Sequence, residues 1–261
     1  MPLPPDPSTP SGSLTAIETE LAEIVTAADA AAVTVRVLGS IGVAIRAPTA
    51  VALLAEDART YSDLDLAAYR HDARALARVV TGLGYLDDRE IAIASEGRRA
   101  IFDRPDHRFH IDVFFDRLEF CHVIPLAGRL EADRPTIPLA ELLLSKLQIV
   151  KINRRDLVDT VALLVDRPLA TADDEGIDLD RVARLCANEW GLWRTVSMNL
   201  AKVGTIAASL PPLSPLQRNK VADAVARLKA RIDDEPKPLA WKMRARVGDR
   251  RQWWTDVDEV R

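Results

Sequence analysis

Two apolar segments that carry aspartates decide the fold: Ser62-Asp63-Leu64-Asp65-Leu66 and His110-Ile111-Asp112-Val113-Phe114. Alternate side chains of a strand point to the same face, so the first segment presents Asp63 and Asp65 together and its leucines on the opposite face. Two carboxylates this close raise the pKa of one of them unless a cation lies between them. With Asp112 on a neighbouring strand, they would supply the oxygen ligands that hard divalent cations prefer. The pattern therefore predicts a metal site.

A Gly39-Ser40 pair precedes these segments and follows the valine-rich stretch 32–38, which we predict to be a strand. Glycine allows a backbone to approach an anion closely. Backbone amides at the start of a following helix, together with the Ser40 hydroxyl, can bind phosphate. Most Gly-Ser pairs are only turns, and the Asp-x-Asp downstream is what favours a phosphate-binding turn here.

Taken together, Gly39-Ser40, Asp63-x-Asp65 and Asp112 resemble the signature of the polymerase-beta-type nucleotidyltransferase superfamily. Residues 142–147 (LLLSKL) and 154–159 (RRDLVD) resemble the helical part of its minimal, AbiEii-like branch, which includes toxins of toxin–antitoxin systems. The resemblance covers roughly residues 33–165. It implies an α/β (α+β) fold, in which a nucleotidyltransferase-like mixed sheet is followed by a C-terminal all-helical domain.

The resemblance also implies an enzyme that transfers a nucleoside monophosphate from a nucleoside triphosphate, such as ATP, to a hydroxyl group. Two Mg²⁺ or Mn²⁺ ions would assist, and the implied catalytic and metal-binding residues are Asp63, Asp65 and Asp112. The implied nucleotide-binding residues are Gly39, Ser40, Lys146 and Asp156. The AbiEii-like branch favours RNA, specifically the 3′ end of tRNA, as the acceptor, and an antitoxin protein as a partner.

Several alternatives remain open on the sequence alone. The acceptor could instead be an aminoglycoside or lincosamide antibiotic, and the same fold could bind nucleotides or a partner without turnover. A phosphatase or nuclease could use the same carboxylates. Lys146 could extend to solvent from its apolar helix, and Asp156 could cap a helix N-terminus. Residues 41–62 separate Ser40 from Asp63, a longer spacer than is usual in the family.

Composition is that of a globular protein without extreme charge. The chain has 261 residues, a formal net charge of −4 and 48% hydrophobic residues, so it is not a polycation that coats nucleic acid. It contains two cysteines, Cys121 and Cys186, which we expect to be buried and reduced in the cytosol. No apolar run reaches the roughly 18–20 residues that span a bilayer, so we predict a cytoplasmic protein without membrane contact.

The chain divides into three predicted regions: a disordered Pro/Ser-rich tail (1–13), a nucleotidyltransferase catalytic domain (14–132) and a helical domain (136–261). The first domain should contain helices over 14–31, 41–56 and 72–83, strands over 32–38, 61–68 and 109–115, and a hairpin of 89–95 with 99–104. The second should contain helices around 139–150, 157–164, 180–208 and 215–232. The basic, tryptophan-bearing C-terminus either binds RNA through phosphates and stacked bases or packs its rings against the helices.

Overall fold

A computed structural model describes residues 14–54, 62–106 and 108–256. The predicted tail over 1–13 lies outside these residues, as do 55–61 and 257–261. The described residues form two compact units. The first comprises 14–41, 62–117 and 125–137, and the second comprises 42–54, 118–124 and 138–256. The fold is mixed α and β, with a five-stranded mixed sheet, as the sequence predicts at this coarse level.

The first unit is built around that sheet. Its helices are α1 (Leu14–Ala30), the start of α2 (Gly39–Arg46), α4 (Ala73–Gly82) and α5 (Arg89–Ala94). Its strands are β1 (Val35–Val37), β2 (Asp63–Ala68), β3 (Leu86–Asp88), β4 (Arg99–Asp103) and β5 (His110–Phe115). Helix α1 buries Ile17, Leu21 and Ile24, which lie three or four positions apart on one face. The strands run in the order β1-β2-β5-β4-β3.

The two acid-bearing strands, β2 and β5, are neighbours in the centre of the sheet and run parallel. Their register pairs Asp65 directly with Asp112, and Asp63 with His110. Strand β1 lies antiparallel to β2, and β4 lies antiparallel to β5. Leu64 and Leu66 are fully buried on the opposite face of β2, which anchors the register because a shift of one residue would turn them to the polar side.

The predicted hairpin between 89–95 and 99–104 is wrong in its first half. Residues Arg89–Ala94 form helix α5, and β4 pairs instead with the short strand Leu86–Asp88. The cause is Asp88, whose carboxylate accepts hydrogen bonds from the backbone N–H groups of Glu90 and Ile91 and so caps the helix. The apolar residues of 89–95 therefore follow a helical turn rather than a strand.

The second unit is mainly helical. It contains α3 (Thr49–Leu53), α6 (Leu139–Leu147), α7 (Arg154–Asp166), α8 (Leu179–Asn188), α9 (Trp190–Ser209), α10 (Pro215–Asp234) and α11 (Leu239–Val247). Two small two-stranded sheets complete the described chain: β6 (Arg117–Glu119) with β7 (Val123–Pro125), and β8 (Leu169–Ala170) with β9 (Ile177–Asp178). The Asp166 carboxylate holds the start of α3 by accepting from Thr49 N and Oγ1 at 2.9 and 2.7 Å.

The single helix predicted over 180–208 is wrong, because the chain breaks at Glu189 into α8 and α9. Glu189 adopts an extended backbone conformation, which interrupts the helix. Its side-chain carboxylate contacts His122. The start of α10 matches the prediction at 215 and has a capping box between Ser214 and Gln217. None of the described helices has the length and apolarity needed to cross a bilayer.

Candidate functional site

Three carboxylates lie on one face of the two central strands. Asp63 and Asp65 alternate along β2, and Asp112 lies opposite Asp65 on β5. Neighbouring strands are about 4.8 Å apart, so the side chains of Asp65 and Asp112 emerge side by side. Exposure falls across the set: Asp63 is exposed, Asp65 is half-buried, and Asp112 is 6% exposed. The sheet thus brings together the three aspartates that the sequence singles out.

Gly39 lies against this face. It begins α2 with φ of +63°, and a Cβ atom placed on it would lie 1.8 Å from Asp65 Oδ2. The backbone N–H of Leu38 donates to the Asp65 carbonyl at 3.0 Å. The long spacer folds in part into α2 and α3, and it leaves Gly39 next to Asp65. Ser40 follows on the first turn of α2 and is half-buried.

Asp112 is held by an arginine that the sequence analysis did not single out. Arg99 Nε donates to Asp112 Oδ1 at 2.6 Å, and Arg99 Nη2 donates to Oδ2. Burial raises the pKa of the Asp112 carboxyl by more than the Arg99 ion pair lowers it. The hydrogen bonds to Asp112 in turn raise the pKa of the Arg99 guanidinium. The sequence carries no signal for this contact, because the partner strand and register of β4 are visible only in the structure.

The donor set suits a hard divalent cation in its chemistry, because it offers carboxylate oxygens on adjacent strands. In the described part of the chain, no three His, Cys, Asp or Glu side chains converge as a metal-binding group. Both oxygens of Asp112 instead face Arg99. The residues that would hold a cation are therefore present and adjacent, with one of them engaged by a guanidinium.

His110 shares the face with Asp112, as its position two residues earlier on the strand requires. Its Nδ1 lies 2.8 Å from Asp103 Oδ1 on β4. This contact occupies one ring nitrogen and orients the imidazole along the sheet. His110 is half-buried and adds a further polar side chain beside Asp63.

Lys146 and Asp156 lie in the second unit, where they contact each other. Lys146 Nζ lies 2.9 Å from Asp156 Oδ1 and 3.0 Å from Asp159 Oδ2. Lys146 is 8% exposed and Asp159 is fully buried. Burial lowers the pKa of the Lys146 ammonium, but Asp159 and Asp156 raise the pKa by more, so the group remains charged. The alternative in which the Lys146 side chain extends to solvent is therefore wrong.

The alternative role of Asp156 as a helix cap is wrong. Asn153 caps α7, and its side-chain oxygen accepts from the backbone N–H of Asp156 at 2.9 Å. Asp156 lies in the first turn, where a carboxylate interacts favourably with the helix dipole, and its side chain is directed to Lys146. Thus a first-turn acid, a later acid on the same helix and a lysine of α6 form one buried ionic cluster.

The C-terminal tryptophans pack within the second unit. Trp241 Nε1 donates to the Cys186 carbonyl at 3.2 Å, and its ring lies 5.2 Å from that of Trp193. Trp253 Nε1 donates to Thr195 Oγ1 at 3.1 Å. Thr195 Oγ1 also lies 2.9 Å from His122 Nε2, and His122 Nδ1 lies 2.9 Å from Glu189. The packing interpretation of the tryptophans accounts for these contacts, and both cysteines are free and buried as expected.

Comparison with known proteins assigns no family to this arrangement: no protein-family model and no curated protein matches the chain. The functional argument therefore depends on the site itself. Its strongest element is the in-register pair Asp65–Asp112, with Gly39 directly against Asp65.

Proposed function

We propose that this chain is a metal-dependent nucleotidyltransferase of the polymerase-beta type, which transfers a nucleoside monophosphate from a nucleoside triphosphate to a hydroxyl group of RNA, at the tRNA 3′ end. One observation carries the proposal: Asp63, Asp65 and Asp112 share one face of two adjacent parallel strands, and Gly39 at the start of α2 lies against Asp65. The donor chemistry and the neighbouring helix start together suit a metal-bound triphosphate.

In the proposed reaction, the acceptor oxygen forms a bond to the α-phosphorus, the bond from that phosphorus to the β-phosphate oxygen breaks, and pyrophosphate leaves. Bound Mg²⁺ or Mn²⁺ would lower the pKa of the acceptor hydroxyl and offset the charge of the phosphates. Asp63 and Asp65 would hold the cations, and Asp112 would hold one of them and accept the hydroxyl proton. Backbone amides following Gly39, with the Ser40 hydroxyl, would bind the outer phosphates.

The test is incubation of the purified full chain with each α-³²P nucleoside triphosphate, Mg²⁺ or Mn²⁺, and total tRNA. The control is a double variant, Asp63→Asn with Asp65→Asn. We expect label on tRNA with the wild type and none with the variant, because the variant keeps the shape of both side chains and loses their charge. A second arm replaces tRNA with kanamycin and lincomycin.

Each outcome has a distinct meaning. Label on tRNA identifies both the reaction and the base. Label on either drug would show that the acceptor is the drug and not RNA. Metal-dependent nucleotide binding without transfer to any acceptor would leave a binding protein. If calorimetry finds neither metal nor nucleotide binding, the enzymatic proposal is rejected.

A further inference from the structure

The guanidinium of Arg99 occupies both oxygens of Asp112. The contact is a two-pronged ion pair, with Nε at 2.6 Å from Oδ1 and Nη2 on Oδ2. Paired, charge-assisted hydrogen bonds of this kind are among the strongest in proteins. The guanidinium carbon also lies 5.5 Å from the centroid of the Phe114 ring, which gives Arg99 a second, aromatic neighbour on the same face of the sheet.

A cation and this guanidinium would compete for the same carboxylate. Asp112 is 6% exposed, so water can do little to screen repulsion between two positive groups placed on it. Arg99 meanwhile places its positive charge on a buried carboxylate that lies next to Asp65. Arg99 therefore supplies the positive charge that a bound cation would otherwise supply to the Asp112 carboxylate.

We propose that Arg99 is a positioning residue that holds Asp112 until a divalent cation binds, and that it then exchanges Asp112 for a phosphate oxygen of the metal-bound nucleotide. The inference rests on the proposed function, and it assigns the order of events: Arg99 leaves Asp112 when the cation arrives. It does not follow from the three-aspartate pattern, which contains no arginine.

The destination of the released guanidinium follows from charge. Once cations neutralise Asp63, Asp65 and Asp112, and with Asp103 in contact with His110, the triphosphate is the anion with which the released guanidinium would pair. An arginine binds phosphate through the same fork with which it binds a carboxylate. The side chain of Arg99 is 28% exposed, so a phosphate in solution can reach it.

The test compares Arg99→Gln with wild type by titrating Mn²⁺ and following the free ion by electron paramagnetic resonance, at pH 8 and without nucleotide. We expect the variant to bind Mn²⁺ about 5- to 150-fold more tightly, the range typical of coupled sites. Binding of the Mn²⁺–tripolyphosphate complex, measured by calorimetry, should weaken in the same variant. Tripolyphosphate is used because it does not depend on the base. A merely structural role would weaken both.

Two further variants serve as controls. Arg89→Gln removes the same charge from an arginine whose side chain is 87% exposed, and it should change neither affinity. Arg99→Lys keeps the charge but loses the fork, so its Mn²⁺ affinity should lie between those of wild type and Arg99→Gln. If wild type binds Mn²⁺ and Arg99→Gln binds it no more tightly, or if tripolyphosphate affinity is unchanged, the exchange is rejected while the proposed enzyme stands. If neither protein binds Mn²⁺, the proposed function is rejected as well.

A measurement on the unmodified chain covers the case in which Arg99→Gln does not fold. Phenylglyoxal labels accessible arginines, and peptide mass spectrometry locates the label. We expect Mn²⁺ to accelerate labelling of Arg99 several-fold and tripolyphosphate with Mn²⁺ to suppress it again. A labelling rate at Arg99 that does not respond to saturating Mn²⁺ would contradict the exchange.

Discussion

The backbone of Gly39 lies directly against the carboxylate of Asp65. A β-carbon on Gly39 would lie 1.8 Å from Asp65 Oδ2 and 2.7 Å from its Cγ, far inside any van der Waals contact. The φ angle of +63° at Gly39 is a second reason for glycine, since other residues adopt this region at a cost. Helix start and carboxylate are thus in contact only because this residue has no side chain.

Gly39→Ala should therefore displace Asp65 and strain the start of α2. We expect a loss of roughly 1–3 kcal/mol in the free energy of unfolding, together with weaker Mn²⁺ binding, measured by chemical denaturation and by Mn²⁺ titration. Gly82→Ala is the matched control, because a Cβ there meets nothing within 4 Å. It should stabilise the protein slightly or leave it unchanged. Equal effects of the two substitutions would contradict the contact.

The aspartates of the site should separate activity from stability. Asp63 is exposed, so Asp63→Asn should change the free energy of unfolding by no more than about 0.5 kcal/mol and lower the proposed nucleotidyl transfer by roughly 10²-fold or more. Asp112→Asn should lower transfer as well, and it should also cost roughly 1.5–3 kcal/mol in stability because Arg99 loses its ionised partner. Urea denaturation of both variants provides the comparison. If Asp63→Asn lowered the free energy of unfolding more than Asp112→Asn does, the result would be inconsistent with the burial of Asp112.

Lys146→Met should be among the most destabilising single changes in the second unit. It removes the cation that contacts the buried Asp159, and breaking a buried ion pair from one side costs about 3–5 kcal/mol. Lys202→Met, at an exposed position of α9, should stay within about 0.5 kcal/mol. Thermal and urea unfolding of both variants measure the difference, and similar stabilities would refute the buried cluster.

Lys146 also makes the stability of the folded protein depend on pH. Its pKa in the folded protein is raised above the ordinary value, so the folded state holds the proton more tightly than the unfolded chain does. The stabilisation is fully present below about pH 10.4, the unfolded value, and is lost as the pH rises through the higher folded value. Lys146→Met should thus be less stable than wild type by a constant amount between pH 6 and 9, and the gap should narrow only in stronger alkali.

Thr195 joins His122 to the C-terminal segment through Trp253. Thr195→Val keeps the shape but removes the hydroxyl that contacts the buried His122 and the half-buried Trp253, at a cost of roughly 1–3 kcal/mol. Trypsin should then cleave sooner after the exposed Arg250 and Arg251, as gel electrophoresis of timed samples would show. Thr205→Val, whose exposed hydroxyl bonds only within α9, should leave the cleavage rate as it is in wild type.

The sequence predicts the elements whose hydrophobic pattern is strong and local. The alternation around Asp63 and the apolar run around Asp112 predict both central strands, because leucine, isoleucine and valine are buried on the face opposite the acids. The spacing of Ile17, Leu21 and Ile24 likewise predicts α1. By contrast, 89–95 is apolar enough for a strand, yet residues Arg89–Ala94 form a helix that Asp88 caps.

Long-range partners are the part that the sequence does not reveal. Nothing in the spacing indicates that Arg99 reaches Asp112, because that contact requires the β4–β5 register. The pairing of Lys146 with both Asp156 and Asp159 similarly depends on how α6 and α7 pack. In both cases the tertiary fold, and not the local sequence pattern, determines which charged side chains are in contact.

The parallel pairing of β2 with β5 also bears on the timing of biosynthesis. A ribosome adds about 5–20 residues per second, and Asp112 follows Asp65 by 47 positions (112 − 65). Asp63 and Asp65 are therefore synthesised roughly 2–9 s before Asp112 is added to the chain. A nascent chain that stalls before β5 would carry Asp63 and Asp65 without their neighbouring strand and would be catalytically silent. On this view the host cell is not exposed to the proposed activity until the central sheet is complete.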